Sequence, residues 1–95
     1  MEWKFDNINN VWELVDNSEV FCKIVIQERK NNPKNKYRVK VIIHKMLCGK
    51  KRYKELEKKK NTWYSITEKK FKNIKELEKY INIKKKELID YFKHI

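Results

Sequence analysis

Residues 20–46, VFCKIVIQERKNNPKNKYRVKVIIHKM, alternate apolar and polar positions on either side of an Asn-rich centre. Cys22, Ile24 and Ile26 alternate with Phe21, Lys23, Val25 and Gln27, and Val39, Val41 and Ile43 alternate with Arg38, Lys40, Ile42 and His44. A period of two marks strands with one buried side. Between them Asn31, Asn32, Pro33, Lys34 and Asn35 supply turn chemistry, because Asn accepts unusual backbone angles and Pro fixes one while giving no N–H to a ladder. The stretch predicts a long β-hairpin. Pairing Arg29 with Lys36 sets Ile26 opposite Val39, Ile24 opposite Val41 and Cys22 opposite Ile43, all apolar and all on one side. A slip of one residue would bury Lys40, so the pattern itself selects the register. Phe21, Lys23, Val25, Gln27, Arg38, Lys40, Ile42 and His44 are then expected on the other side, a mixed cationic and apolar face.

The flanking segments add to this hairpin. Residues 1–19 contain Trp3, Phe5, Ile8, Val11, Trp12, Leu14 and Val15, with Asp16, Asn17 and Ser18 as a turn, and VWELV predicts one strand that extends the sheet as a meander. Trp3 and Trp12 are read as core or sheet-edge packing. TWYSIT, residues 62–67, predicts a further short strand. Asn73 followed by Glu76 has the spacing of a helix cap, and Ile74, Leu77, Ile81, Leu88, Phe92 and Ile95 follow helical periodicity. Asn82 and Ile83 stand where a second N-cap would fit, which predicts two helices, about 74–81 and 84–94.

The expected fold is therefore α+β in a single domain over residues 1–95: an antiparallel β-meander of three to four strands with two C-terminal helices packed on one face. Its sheet is expected over about 11–67, interrupted by a basic loop at 48–61, and its helical part over about 74–94. The loop, CGKKRYKELEKKKN, offers an i,i+4 pair, Lys51 with Glu55, and a short helical stripe from Tyr53 to Leu56; the plainer alternative is a solvated lysine run.

Forty per cent of residues are charged and the formal net charge is +12, yet twelve aromatic residues and 40% hydrophobic content suffice for a core. Arg29, Arg38 and Arg52 are the only arginines; Lys, Asn and Ile dominate, as codons rich in A and T produce in a low-GC bacterial or phage genome. Such bias explains Lys in place of Arg but not the shortage of acids. The net charge is −4 over residues 1–20, +12 over 21–60 and +4 over 61–95, so the excess belongs to the hairpin and the loop after it. A concentrated field of this sign attracts nucleic acid, an acidic protein surface or anionic lipid.

Candidate chemistry narrows the reading. Lys23, Arg38, Lys40 and His44 on the hairpin, with Phe21 near one end and Lys50, Lys51, Arg52, Lys54, Lys58, Lys59 and Lys60 beyond it, form a basic set able to neutralise phosphates or meet an acidic partner, and the aromatics can stack on unpaired bases. The plain alternative is a solvated sheet face. IKELEKYINIKKKELIDYF looks like a helix-turn-helix, with Ile74, Leu77, Ile83, Leu88 and Phe92 at the buried spacings, Glu78 where the motif has alanine, and Lys84, Lys85 and Lys86 as phosphate contacts. Cys22, His44, Cys48 and His94 lack metal-ligand spacing, and the hairpin register puts Cys22 and His44 on opposite faces. Cys22 and Cys48 are too few for a disulfide framework, and Cys22 reads as a small core residue. Asp6, Glu13, Asp16 and Glu19 read as a solvated acidic edge. No nucleophile elbow, phosphate-cradling glycine loop, carboxylate cluster or cofactor motif is present, so no enzyme, metal or cofactor is expected. With no leader-like segment and no long apolar run, a cytoplasmic location without membrane contact is expected.

The leading expectation is a small non-enzymatic basic protein that binds nucleic acid through phosphate contacts with little sequence preference. Its rival is a phage-encoded inhibitor, of anti-CRISPR or anti-restriction type, docking on a nucleic-acid-processing enzyme or its guide-bound channel. A helix-turn-helix DNA-binding regulator is the third.

Overall fold

In the computed structural model, which describes residues 1–32, 34–44 and 63–93, the strands pair in chain order, each antiparallel to the next. They are β1 (Glu2–Asp6), β2 (Val11–Asp16), β3 (Glu19–Glu28), β4 (Tyr37–His44) and β5 (Trp63–Phe71), and one helix, α1 (Ile74–Lys93), packs on one face of the sheet. The β3–β4 register is the one the alternation selects: Ile26 opposite Val39, Ile24 opposite Val41, Cys22 opposite Ile43. Arg29 N donates to the Lys36 carbonyl at 2.6 Å, and the Asn32 side chain accepts from Asn35 N at 3.1 Å, so the Asn-rich loop closes the hairpin with local bonds.

Five strands replace the expected three to four. The extra one is β1, where Trp3 and Phe5 alternate with Glu2, Lys4 and Asp6; two apolar positions are too short a run to announce a strand. Its turn is built by Asp6, whose Oδ1 accepts from Ile8 N at 3.0 Å and Asn9 N at 3.2 Å, with Asn10 at φ 58°. The next turn has Asn17 at φ 50° and Ser18 at φ 67°, the left-handed pair whose twist suits a two-residue hairpin. β5 also runs past TWYSIT, because Lys69 and Phe71 continue opposite Val39 and Tyr37.

One helix replaces the expected two. Leu77, Ile81, Leu88 and Phe92 are buried along a single stripe, while Asn82 and Ile83 point outward. Packing both halves of that stripe on the sheet outweighs the weak helix preference of one Asn, a few tenths of a kcal/mol by propensity (about 0.7 at most). The turn on which the helix-turn-helix expectation stood is therefore not formed. The predicted cap is: Asn73 Oδ1 accepts from Glu76 N at 2.9 Å.

The core is the helix side of the sheet, Leu14, Cys22, Ile24, Val39, Val41 and Ile43, closed by the stripe of α1. Two β-bulges adjust this surface. At the first, Val15 pairs with Val20 and Leu14 with Cys22, so Phe21 is left without a partner. Its ring lies 5.5 Å from that of Phe92, which corrects the expectation that Phe21 belongs to the outer face. An extra residue re-aims its side chain, and here it supplies one more aromatic to the core. The second bulge sets Ile66 between Thr67, opposite Val41, and Ser65, opposite Ile42.

A helix about 10 Å wide cannot cover five strands spaced about 4.8 Å apart. Trp3 and Trp12 fill part of one flank. Elsewhere clefts remain, one of about 440 Å³ lined by Val41, Ile43, Ile66, Leu88 and Tyr91, and one of about 480 Å³ lined by Phe5, Trp12, Ile26, Tyr37, Ile74 and Leu77.

Candidate functional site

Cross-strand partners share a face, so the register that buries Ile24 and Val41 turns Lys23, Arg38, Lys40 and His44 to the side away from α1. Reading across the strands, that open face is built in rows. Gln27, Arg38 and Lys70 form one; Asp6, Val11, Val25, Lys40 and Glu68 the next; Lys4, Glu13, Lys23, Ile42 and Ser65 the third; His44 and Trp63 the last. The charge is graded. On β1 and β2, Asp6 and Glu13 offset Lys4, whereas β3 to β5 carry Lys23, Arg38, Lys40 and Lys70 against a single carboxylate, Glu68.

Arg38 Nε forms an ion pair with Glu68 Oε1 on the half-exposed surface. The adjacent Arg38 guanidinium holds the Glu68 carboxyl below its ordinary range, with the fields of Lys40 and Lys70 acting the same way, and the carboxylate raises Arg38 in turn. The guanidinium is therefore engaged, while the face's lysines remain point charges.

At the His44 end the chemistry becomes aromatic. The Trp63 ring stands edge-on to His44, with centroids 5.4 Å apart and planes at 85°, and Lys23 reaches across β4 to place its ammonium 4.8 Å from the Trp63 centroid. The four hairpin residues expected at the site, Lys23, Arg38, Lys40 and His44, are thus brought onto one face. Lys50, Lys51, Arg52, Lys54, Lys58, Lys59 and Lys60 lie outside the described residues. Trp63, Glu68 and Lys70 belong to the face and were not anticipated, since the alternation within β5 is interrupted at Ile66 and its register depends on a partner reached across a long connection.

The lysines of α1 are placed differently from the helix-turn-helix expectation. Lys84 pairs with Glu87 at 3.0 Å, and Lys85 covers the Trp12 ring; Lys86 is exposed. Cys22 is buried on the helix side, its thiol pushed up to about 12 by desolvation, and His44 is on the opposite face. Cys48 and His94 lie outside the described residues, among which no cluster of metal-ligating side chains occurs and no helix is long and apolar enough to cross a membrane.

No family model matches this chain, and no curated protein or solved structure is similar to it.

Proposed function

We propose that this is a small, non-enzymatic nucleic-acid-binding protein that uses the β3–β5 half of its open sheet face on phosphates, with little sequence preference. One observation carries the reading: Arg38, Lys40 and Lys70 converge around one carboxylate, Glu68, on a face that ends in Trp63 and His44, where Lys23 lies over the Trp63 ring. The 18 residues between His44 and Trp63 contribute eight of the 25 cationic residues and only two acids, so half of the chain's net charge of +12 is tethered at that same end. Phosphate neutralisation needs such a concentration of cations, and releases counterions when it occurs. Low sequence preference follows from the residue types. On the described open face Arg38 is the single arginine, ion-paired with Glu68 through Nε, and the other cations are lysines, point charges that do not make bidentate contacts to a guanine edge.

The acidic side of the face, Asp6 and Glu13, supports the inhibitor alternative, because a surface graded from acidic to basic suits a protein with the reverse pattern as well as it suits phosphate. Salt dependence separates the two. Under the nucleic-acid reading, affinity for an oligonucleotide falls with salt at a log–log slope of about 0.7 per single-strand phosphate neutralised, so the double variant Lys40→Gln, Lys70→Gln lowers the slope by about 1.4. A wild type without measurable affinity at low salt, yet able to inhibit a nucleic-acid-processing enzyme through a salt-tolerant complex, would establish the inhibitor in its place.

A further inference from the structure

We infer, on the basis of the nucleic-acid reading above, that the ligand is a single strand rather than a duplex, with one base stacked on Trp63. Trp63 is only partly buried, and the Lys23 ammonium lies over its ring, 4.8 Å from the centroid. A lysine at the end of a flexible stem is readily displaced by a flat aromatic base, and once displaced it remains beside that base, where a phosphate of the same nucleotide chain lies. His44, edge-on at 5.4 Å, braces the indole. The site thus supplies a stacking surface, a brace and an adjacent cation within one row and its neighbour.

The rest of the face suits an unpaired strand. Between Trp63 and the cations Lys40, Arg38 and Lys70 stand Ile42 and Ser65, with Val25 and Glu68 flanking Lys40. From His44 to Arg38 the face runs about 20 Å along β4, long enough for a few extended nucleotides. A duplex keeps its bases stacked on one another and offers Trp63 nothing, and its grooves are read by elements that enter them. The described open face is a sheet surface with no helix or projecting hairpin on it. Stacking is also indifferent to base identity, which agrees with an arginine already engaged by Glu68.

The test is a competition at fixed salt between fluorescently labelled oligothymidine, oligouridine and a blunt DNA duplex of equal length, about 15 nucleotides. At least one of the two single strands, DNA or RNA, is expected to bind tenfold or more tightly than the duplex, and to quench tryptophan emission. Trp63→Leu is expected to lose about ten- to hundredfold in single-strand affinity, with duplex affinity and the salt slope unchanged. Trp63→Phe, which keeps a stacking face, is expected to retain most of the affinity and lose the Trp63 share of the quench, with circular dichroism confirming both folds. Equal affinity for the duplex, or equal losses on single strand and duplex in Trp63→Leu, would overturn the stacking role and leave phosphate binding standing. Failure to bind any of the three would remove the nucleic-acid reading itself.

Discussion

The Lys85 ammonium lies 3.2 Å from the centre of the Trp12 ring, and the carbonyl of the same lysine accepts the Trp3 indole N–H at 3.1 Å. Trp12 and Trp3 come from adjacent strands, so one helical residue anchors α1 to the β1–β2 side of the sheet. Partial burial lowers the Lys85 pKa, as expected where an ammonium exchanges water for an aromatic face. Lys85→Gln should therefore destabilise the protein by about 1–2 kcal/mol, while Lys84→Gln and Lys86→Gln should each stay within about 0.5 kcal/mol. Urea melts of the three variants decide it; equal effects would mean that the contact with Trp12 contributes nothing.

The core rests on alternate positions of β3, and the bulge adds a residue that alternation assigns to the wrong side. Ile24, with no exposed surface, packs opposite Val41, so Ile24→Ala should cost about 2–5 kcal/mol. Val25→Ala, on the open face, should cost less than about 1 kcal/mol. Phe21→Ala should resemble a core change at about 2 kcal/mol or more, because its ring meets Phe92. A Phe21→Ala variant as stable as Val25→Ala would place Phe21 outside the core.

Cys22 is sealed between Leu14 and Ile43, with no exposed surface and a thiol pushed up to about 12. Thiolate is the reactive form, so both the burial and the pKa protect it. In the Cys48→Ser variant, labelling of Cys22 by a disulfide reagent at pH 8 should proceed only at the rate of unfolding, and at once in denaturant. Rapid labelling of the folded variant would contradict the core position.

The alternation of residues 20–46 is enough to place the hairpin, its register and Lys23, Arg38, Lys40 and His44 on one face, because a period of two leaves a single arrangement that buries only apolar groups. Other features depend on contacts that no local pattern records. β1 is a strand because Trp3 and Phe5 find Leu14 and Trp12, and its own five residues are mostly polar. The helix ignores Asn82 because that side chain faces solvent while Leu77, Ile81, Leu88 and Phe92 stay in register with the sheet. Trp63 reads as any strand tryptophan until β5 is paired with β4 and brings it to His44 and Lys23. Lys85 reads as one of three equivalent lysines until Trp12 is set beneath it.

The Arg38–Glu68 ion pair links stability to binding, and one substitution separates them. The guanidinium beside it holds the Glu68 carboxyl below its ordinary value of 4.5. A depressed carboxylate contributes stability that is fully present above the unfolded value, about 4.3 to 4.5, and is lost as pH falls through the lower folded value. The pair is near the surface, so its contribution is small and screened. Glu68→Gln should therefore be nearly neutral for stability at pH 7 and should flatten the decline of Tm below about pH 4.5. Binding should move the other way. Removing the carboxylate frees Arg38 for a phosphate and lifts a negative charge from between Lys40 and Lys70, so affinity for single strands should rise and the salt slope should steepen by about 0.7. Unchanged affinity and slope in Glu68→Gln, measured by anisotropy titrations at several salt concentrations, would show that phosphates do not run along β4 and β5.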